Sequence, residues 1–320
     1  MDVQAVPMTD PAAVAKARRK RQRQRDFKKS LPLYVLLLPS AILLLIFAYV
    51  PLYGLVMAFQ NYSPALGVFH SPWVGLKNFT QFFNSYQFPI TLKNTLVISV
   101  YSLLVNTPLP VGLAILTNQM RRQGFKKVFQ VISYLPHFIS IMVMCGMILI
   151  FLSPQSGLFA NLFRLFGAKL PDIMSSANAF SHVYVWTDVW QNLGWNSIIY
   201  IAALSSIDPT YYEAATMDGA TAWQKIRNID IPMVMPTVMI ILIMSVGNLL
   251  NVGFEKVLLL QNPLNMQGSE IISTYVYKIG LQNFQYSLST AIGLFNTVIN
   301  VILLLGVNWI SKKTTDTSLF

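Results

Sequence analysis

Six stretches of the chain, at about 33–58, 91–116, 131–152, 183–204, 237–252 and 290–310, are apolar and nearly free of charge. A hydrocarbon layer roughly 30 Å thick requires about 20 mainly apolar residues per helical crossing. Five runs reach that length, and 237–252 is the shortest. They are continuously apolar, whereas barrel strands would alternate over about 10 residues, so the pattern predicts helices. The expected fold class is an all-α polytopic membrane protein with six transmembrane helices.

The connections differ in character. Segment 60–90 contains YSPALGVFHSPWVGLKNF, whose aromatic, Gly and Pro content predicts an ordered cap with Trp73 and Phe79 at the interface. Segment 153–181 predicts a short amphipathic helix around 158–166. QMRRQGFKKVFQVISYLPHF mixes bases with apolar residues at helical spacing, as in a helix lying along the interface before the third span. Composition agrees with membrane residence: 54% of residues are hydrophobic and 11% charged, with mean hydropathy +0.51.

Net charge is +11, and its placement orients the chain. Nine bases, from Lys16 to Lys29, precede the first span; Arg121, Arg122, Lys126 and Lys127 follow the second, Lys225 and Arg227 the fourth, and Lys312 and Lys313 the sixth. That puts 17 of the 23 basic residues on one side, which the positive-inside rule makes cytoplasmic. Both termini are then expected in the cytoplasm. A basic tail directly before a span sets topology and touches anionic membrane lipid, so no nucleic-acid partner is expected. The first apolar run is too long for a cleaved signal peptide and stays as an anchor. Residues 1–29 are polar and predict disorder or a loose helix at the membrane surface. The single cysteine, Cys145, lies inside the third run and reads as packing.

Between the fourth and fifth runs lies YYEAATMDGATAWQKIRNIDIP, with three acids and two bases. Asp208 can cap a helix whose first turn accepts Pro209, and Glu213 lies near its positive end. Gly219 can stop that helix in the left-handed conformation. Thr221 and Gln224 have capping-box spacing and start a second short helix, expected to run to about Ile229. Pro232 and Pro236 are then expected to bar its continuation into the fifth span. Small residues (Ala214, Ala215, Gly219, Ala220) beside charged ones (Glu213, Asp218, Lys225, Arg227) suit a docking knob. They equally suit an amphipathic connector packed on the protein's own helices.

The order Glu213-Ala214-Ala215, Gly219, Ile229, Ile231-Pro232 resembles the EAA loop of permease subunits in binding-protein-dependent ABC importers, with Ile231 where the family usually has leucine. Asn94-Thr95-Leu96, YLPHFIS and YSLSTAIGLFNTVINVILLLGVNWISKK resemble the sugar-transport branch. LPLYVLLLPSAILLLIFAYVPLYGLVMAFQNYSP and SPWVGLKNF resemble oligosaccharide permeases of the polysaccharide-uptake type. The similarity runs from Leu31 to Lys313.

The resemblance implies a type I importer in the bacterial inner membrane: two homologous permeases, two cytoplasmic ATPases and an extracytoplasmic solute-binding protein. The insert would be the coupling helix, with Glu213, Ala214, Ala215, Asp218, Gly219, Ile229 and Pro232 as its ATPase-coupling residues. ATP and Mg would sit on the ATPases, with no cofactor on this chain. The substrate implied is an oligosaccharide, with acidic ones from alginate or pectin as candidates. The expected organisation is a basic tail (1–30), a first transmembrane helix (31–58), an extracytoplasmic loop (59–90), a five-helix permease core (91–313) containing the coupling loop (205–236), and a C-terminal tail (314–320).

Polar groups within a span are costly and face protein or a water-filled path. In the fourth span Asp188, Gln191, Asn192 and Trp195 follow i, i+3, i+4, i+7 and form one face. Amides, a carboxylate and an aromatic face suit sugar hydroxyls and the C–H side of pyranose rings. Bonding to neighbouring helices would use the same residues. Asn248 and Asn251, expected about one helical turn apart in the fifth span, and Asn296 in the sixth are further pathway candidates. For Asn296 and Asn300 helix–helix bonding is favoured. His137 reads as packing, with no second ligand at metal-binding spacing.

Two other classes fit less well. An ion-coupled secondary sugar transporter would favour buried ionisable relays, and the spans offer one acid, Asp188. A membrane-embedded enzyme would need clustered acids, histidines or a metal site. The chain carries no G-x-x-x-x-G-K-[ST] loop, so ATP hydrolysis is expected in a separate polypeptide and this chain is not expected to be an enzyme.

Overall fold

A computed structural model of the chain describes residues 11–120 and 122–315, and all its regular elements there are helical. The chain divides into two units between Val56 and Met57. Residues 1–10, Arg121 and residues 316–320 lie outside the described residues, which removes the extreme ends of both tails.

In the first unit one helix starts at Pro11 and runs to Leu44 through Pro32 and Pro39, then passes into a π-turn at Leu45–Tyr49. The polar tail is therefore helical from Pro11. Leu36, Phe47 and Val50 are among many exposed apolar side chains in this stretch, the surface expected of a helix bathed in hydrocarbon.

In the second unit, segment 57–86 forms the anticipated ordered cap. Phe59 stacks on Trp73 at 5.5 Å and leans on Phe79, while Asn78 Nδ2 donates to the carbonyls of Ala58 (2.8 Å) and Gln60 (3.0 Å). The short helix of the 153–181 segment is Leu158–Leu165.

Among the described residues, four helices are long and apolar enough to cross a bilayer: Ser30–Phe59, Gln87–Asn118, Ala222–Gly247 and Tyr286–Lys313. By length and composition a fifth is the bent pair Gln123–Phe138 with Ile141–Phe151, which meet at 95°, if the two together make one span. The third run is thus not one straight helix from 131 to 152. A 3₁₀ turn at Leu135–Phe138 carries Pro136, Ile139 is extended, and Ser140 starts a new helix by accepting from Val143 N–H (3.4 Å). The Phe180–Ser205 helix has 26 residues, ample length, but its polar stripe keeps it out of the apolar set.

The fifth run is also corrected. Its helix ends at Gly247, so Asn248 and Asn251 lie in the irregular segment beyond it. At its other end the helix does not stop near Ile229. Ala222–Lys225 passes into a π-turn, Ile226–Asp230, closed by Ile231 N–H donating to Ile226 O, and continues as Ile231–Gly247. Pro232 falls in the first turn after that π-turn, where its missing N–H is tolerated, and Pro236 is carried inside the helix.

Three buried clusters among the described residues hold the second unit together. One joins Ile98, Met144, Cys145, Tyr184, Val189 and Val257, so Cys145 does pack. Another gathers Phe82, Ile272, Leu288 and Ile292 under a set of edge-to-face rings that includes Phe88 and Phe295. The third, Ala114, Ile115, Tyr200, Leu204 and Val234, locks the Pro108–Asn118 helix against the two helices that flank the charged insert. Gly194 allows one very close crossing: a Cβ there would lie 2.1 Å from Ser133 O.

Candidate functional site

A cavity of about 450 Å³ opens between the Gln87–Asn106 helix, the Phe180–Ser205 helix and the segment following Gly247. Asp188, Trp195, Asn248 and Asn251 line it together with Ser102 and Asn106. A second cavity, about 370 Å³, lies on the other side of Asp188 and is lined by His137, Gln191, Asn192 and Lys256. Asp188 belongs to both.

The polar stripe of the Phe180–Ser205 helix is wired. Asp188 Oδ2 accepts from Asn106 Nδ2 and Oδ1 from Asn192 Nδ2, both at 2.9 Å. Asn192 Oδ1 meets His137 Nδ1 at 2.9 Å, and the His137 ring stacks on Trp195 at 4.3 Å with 6° between planes. Asp188, Asn192 and Trp195 therefore form one network, with His137 as its packing partner. Gln191 departs from it: its amide donates to Ile139 O (2.8 Å) and braces the bent third segment.

Asn248, Asn251 and Asn296 converge although the helical spacing expected of the first two is absent. Asn251 N–H donates to Asn248 O (2.9 Å), and Asn296 Nδ2 donates to Asn251 Oδ1 (2.9 Å). Asn300 bonds not to a neighbouring helix but to the irregular segment after Gly247, its Oδ1 accepting from Leu250 N–H at 3.1 Å. Two cavity residues retain unsatisfied acceptors or donors, Ser102 Oγ and Asn106 Oδ1. A polar ligand bearing hydroxyl groups would find partners there.

The charged insert has the predicted local construction. Asp208 caps Pro209–Met217 by accepting from Thr210 N–H (2.9 Å), which holds its carboxyl below the usual carboxylate range. Gly219 has φ +74°, the left-handed region, and Thr221 with Gln224 forms a complete capping box. Glu213, Ala214, Asp218 and Gly219 are exposed, as are Tyr211, Met217 and Trp223. Ala215 is half-buried, and Ile229 and Pro232 lie on the continuation into the next helix.

Residues 106–316 match the family described as the binding-protein-dependent transport system inner membrane component. The chain belongs to this permease family. It is 38% identical over 307 residues to the polygalacturonan/rhamnogalacturonan transport system permease protein YteP of Bacillus subtilis strain 168, covering 96% of this chain and 95% of that one. Protein LplB of the same organism is 36% identical over 318 residues, 99% of this chain and 100% of that one. A crystal structure of a bacterial ABC transporter involved in the import of the acidic polysaccharide alginate superposes with TM-score 0.85 at 39% identity, covering 92% of this chain and 99% of that one. A second structure of an alginate ABC transporter, in complex with an alginate pentasaccharide-bound periplasmic protein, matches equally.

Two charged residues of the permease escaped sequence reasoning. Lys256, one of the six bases outside the 17 placed in the cytoplasm, is 4% exposed and stands 4.0 Å from Asp188 Oδ1. It donates to Tyr184 O (3.1 Å) and lies 4.8 Å from the centre of the Tyr184 ring. A lysine in the mainly apolar FEKVLLL, next to Glu255, was the available signal. Asp230, the last of the three acids in the charged insert, is 0% exposed. No spacing rule brings either to its partner.

Proposed function

We propose that the permease is the transmembrane subunit of an ATP-driven importer, moving oligosaccharides across the inner membrane by alternating access. It would work with a second homologous permease, two ATPases that bind ATP and Mg, and an extracytoplasmic solute-binding protein. The observation that carries this reading is the insert: two capped helices around Gly219 with an exposed surface, continuous at its C-terminal end with a long apolar helix. Such a surface suits a partner's cleft, and its continuity suits transmission of a displacement. Glu213, Ala214, Ala215, Asp218, Gly219, Ile229 and Pro232 are assigned to ATPase coupling.

Six spans follow if the bent pair and the polar Phe180–Ser205 helix each cross, the latter with its stripe facing a water-filled path. Both termini then lie in the cytoplasm, as the basic residues require. Asp188, Asn192, Trp195, Asn248, Asn251 and Asn296 are assigned to the pathway, and Gln191 to its wall. An acidic oligosaccharide is the favoured cargo, supported by what the names of the relatives say of those proteins. The test is purification of the tagged chain: recovery of an ATPase and a second permease, with hydrolysis stimulated by a sugar-loaded binding protein, is expected. A lone chain transporting sugar on an ion gradient would overturn the reading.

A further inference from the structure

Asp230 occupies an unusual place for a carboxylate. It closes the π-turn between the insert and the Ile231–Gly247 helix, it is 0% exposed, and neither of the two ion pairs among the described residues, Lys256–Asp188 and Lys278–Glu270, involves it. Its two oxygens are divided between two parts of the chain. Oδ1 accepts from the Tyr212 hydroxyl at 2.5 Å, and Oδ2 accepts from Gln119 Nε2 at 3.0 Å. Tyr212 belongs to the first insert helix, and Gln119 ends the Pro108–Asn118 helix, 111 residues from Asp230 in sequence.

A buried carboxylate without a cation is costly, and an apolar side chain would pack at this point with less desolvation. What the carboxylate adds is a pair of acceptors that point two ways. An ionised acid can only accept, so it can hold two donors at once from different elements. Hydrogen bonds to an ionised acid are charge-assisted and stiffer than contacts between neutral groups. Below it, Ile207, Ile226 and Ile231 anchor the insert's flanks on the cluster of Ala114, Ile115, Leu204 and Val234. The exposed face of the insert is therefore fixed at its base to two transmembrane helices.

We propose that Asp230 is the joint through which displacement of the insert enters the membrane helices, by tying Tyr212 and Gln119 into one rigid unit. This rests on the reading of the insert as the ATPase-docked element. Tyr212, Asp230 and Gln119 are then positioning residues. None of them is required for the ATPase to bind, because the docking surface is the exposed face of the insert. Loss of either arm lets the insert move without carrying the helices.

Asp230→Leu would remove both arms but risks misfolding, so the decisive variants are Tyr212→Phe, Gln119→Leu and their combination in the full transporter. Each loses one hydrogen bond to a charged group, which predicts a drop of roughly tenfold or more in sugar imported per ATP hydrolysed. Copurification of the ATPase and basal hydrolysis should persist. Because both arms serve one joint, the double variant should be no worse than the poorer single variant. A transport-to-hydrolysis ratio within about twofold of wild type in both single variants would overturn the proposal, as would losses that multiply in the double variant. Failure of the docking reading has a different signature: the unmodified chain would then recover no ATPase.

Discussion

The Asp188 carboxylate lies 4.0 Å from the Lys256 ammonium, yet both of its oxygens already accept from amides, Asn106 on one and Asn192 on the other. The acid is held by neutral donors, and the lysine is turned toward the Tyr184 carbonyl and ring. The two charges share the wall of the second cavity without saturating each other.

Asp188→Asn should keep the amide contacts in modified form and leave Lys256 without its anion. Sugar-stimulated ATPase activity should fall by about tenfold while assembly persists. Stimulation equal to wild type would remove Asp188 from the pathway.

Asn248 lines the first cavity, and Asn296 is bonded to Asn251 beside it, so Asn248→Ala and Asn296→Ala test that wall. Each removes a side chain from the chain of amides through Asn251 without touching a buried cluster. A several-fold rise in the sugar concentration needed for half-maximal uptake is expected. Unchanged uptake in both variants would assign these amides to local structure only.

Gly219 adopts φ +74°, with nothing within 4 Å of the position a Cβ would take, so conformation rather than space decides what can replace it. Gly219→Ala should cost about 1–2 kcal/mol in the insert and leave coupled uptake reduced. Gly219→Pro cannot reach this φ and also removes the N–H that donates to Thr216 O, so it should abolish coupling while membrane insertion persists. Coupled uptake by the proline variant, measured in vesicles, would reduce the insert to a connector.

Gly194→Ala tests packing. The new Cβ would press on the Ser133 carbonyl, a backbone atom that cannot rotate away. A loss of about 1–3 kcal/mol in detergent unfolding is expected.

The Tyr212 hydroxyl titrates well above the usual tyrosine range, first because it is partly buried and then because it donates a hydrogen bond to the Asp230 carboxylate. A folded-state value raised above the unfolded one gives stability that is complete below about pH 10 and lost as pH rises through the folded value. Coupling should therefore be flat across neutral pH. Ultraviolet titration should show one fewer late-ionising tyrosine in Tyr212→Phe than in the unmodified chain.

The sequence alone was sufficient for everything that depends on neighbours along the chain. The Asp208 cap, the left-handed Gly219 and the Thr221–Gln224 box are governed by local hydrogen bonds, and each is present where residue type and spacing put it. The tertiary structure decided what depends on residues distant in sequence. It bent the third segment at Pro136, carried a helix through Pro232 and Pro236 by way of a π-turn, and ended that helix at Gly247. It also set Lys256 beside Asp188 and Asp230 between Tyr212 and Gln119. Burial of a charge is settled by which helices pack around it, and a one-dimensional pattern records the charge but not the packing.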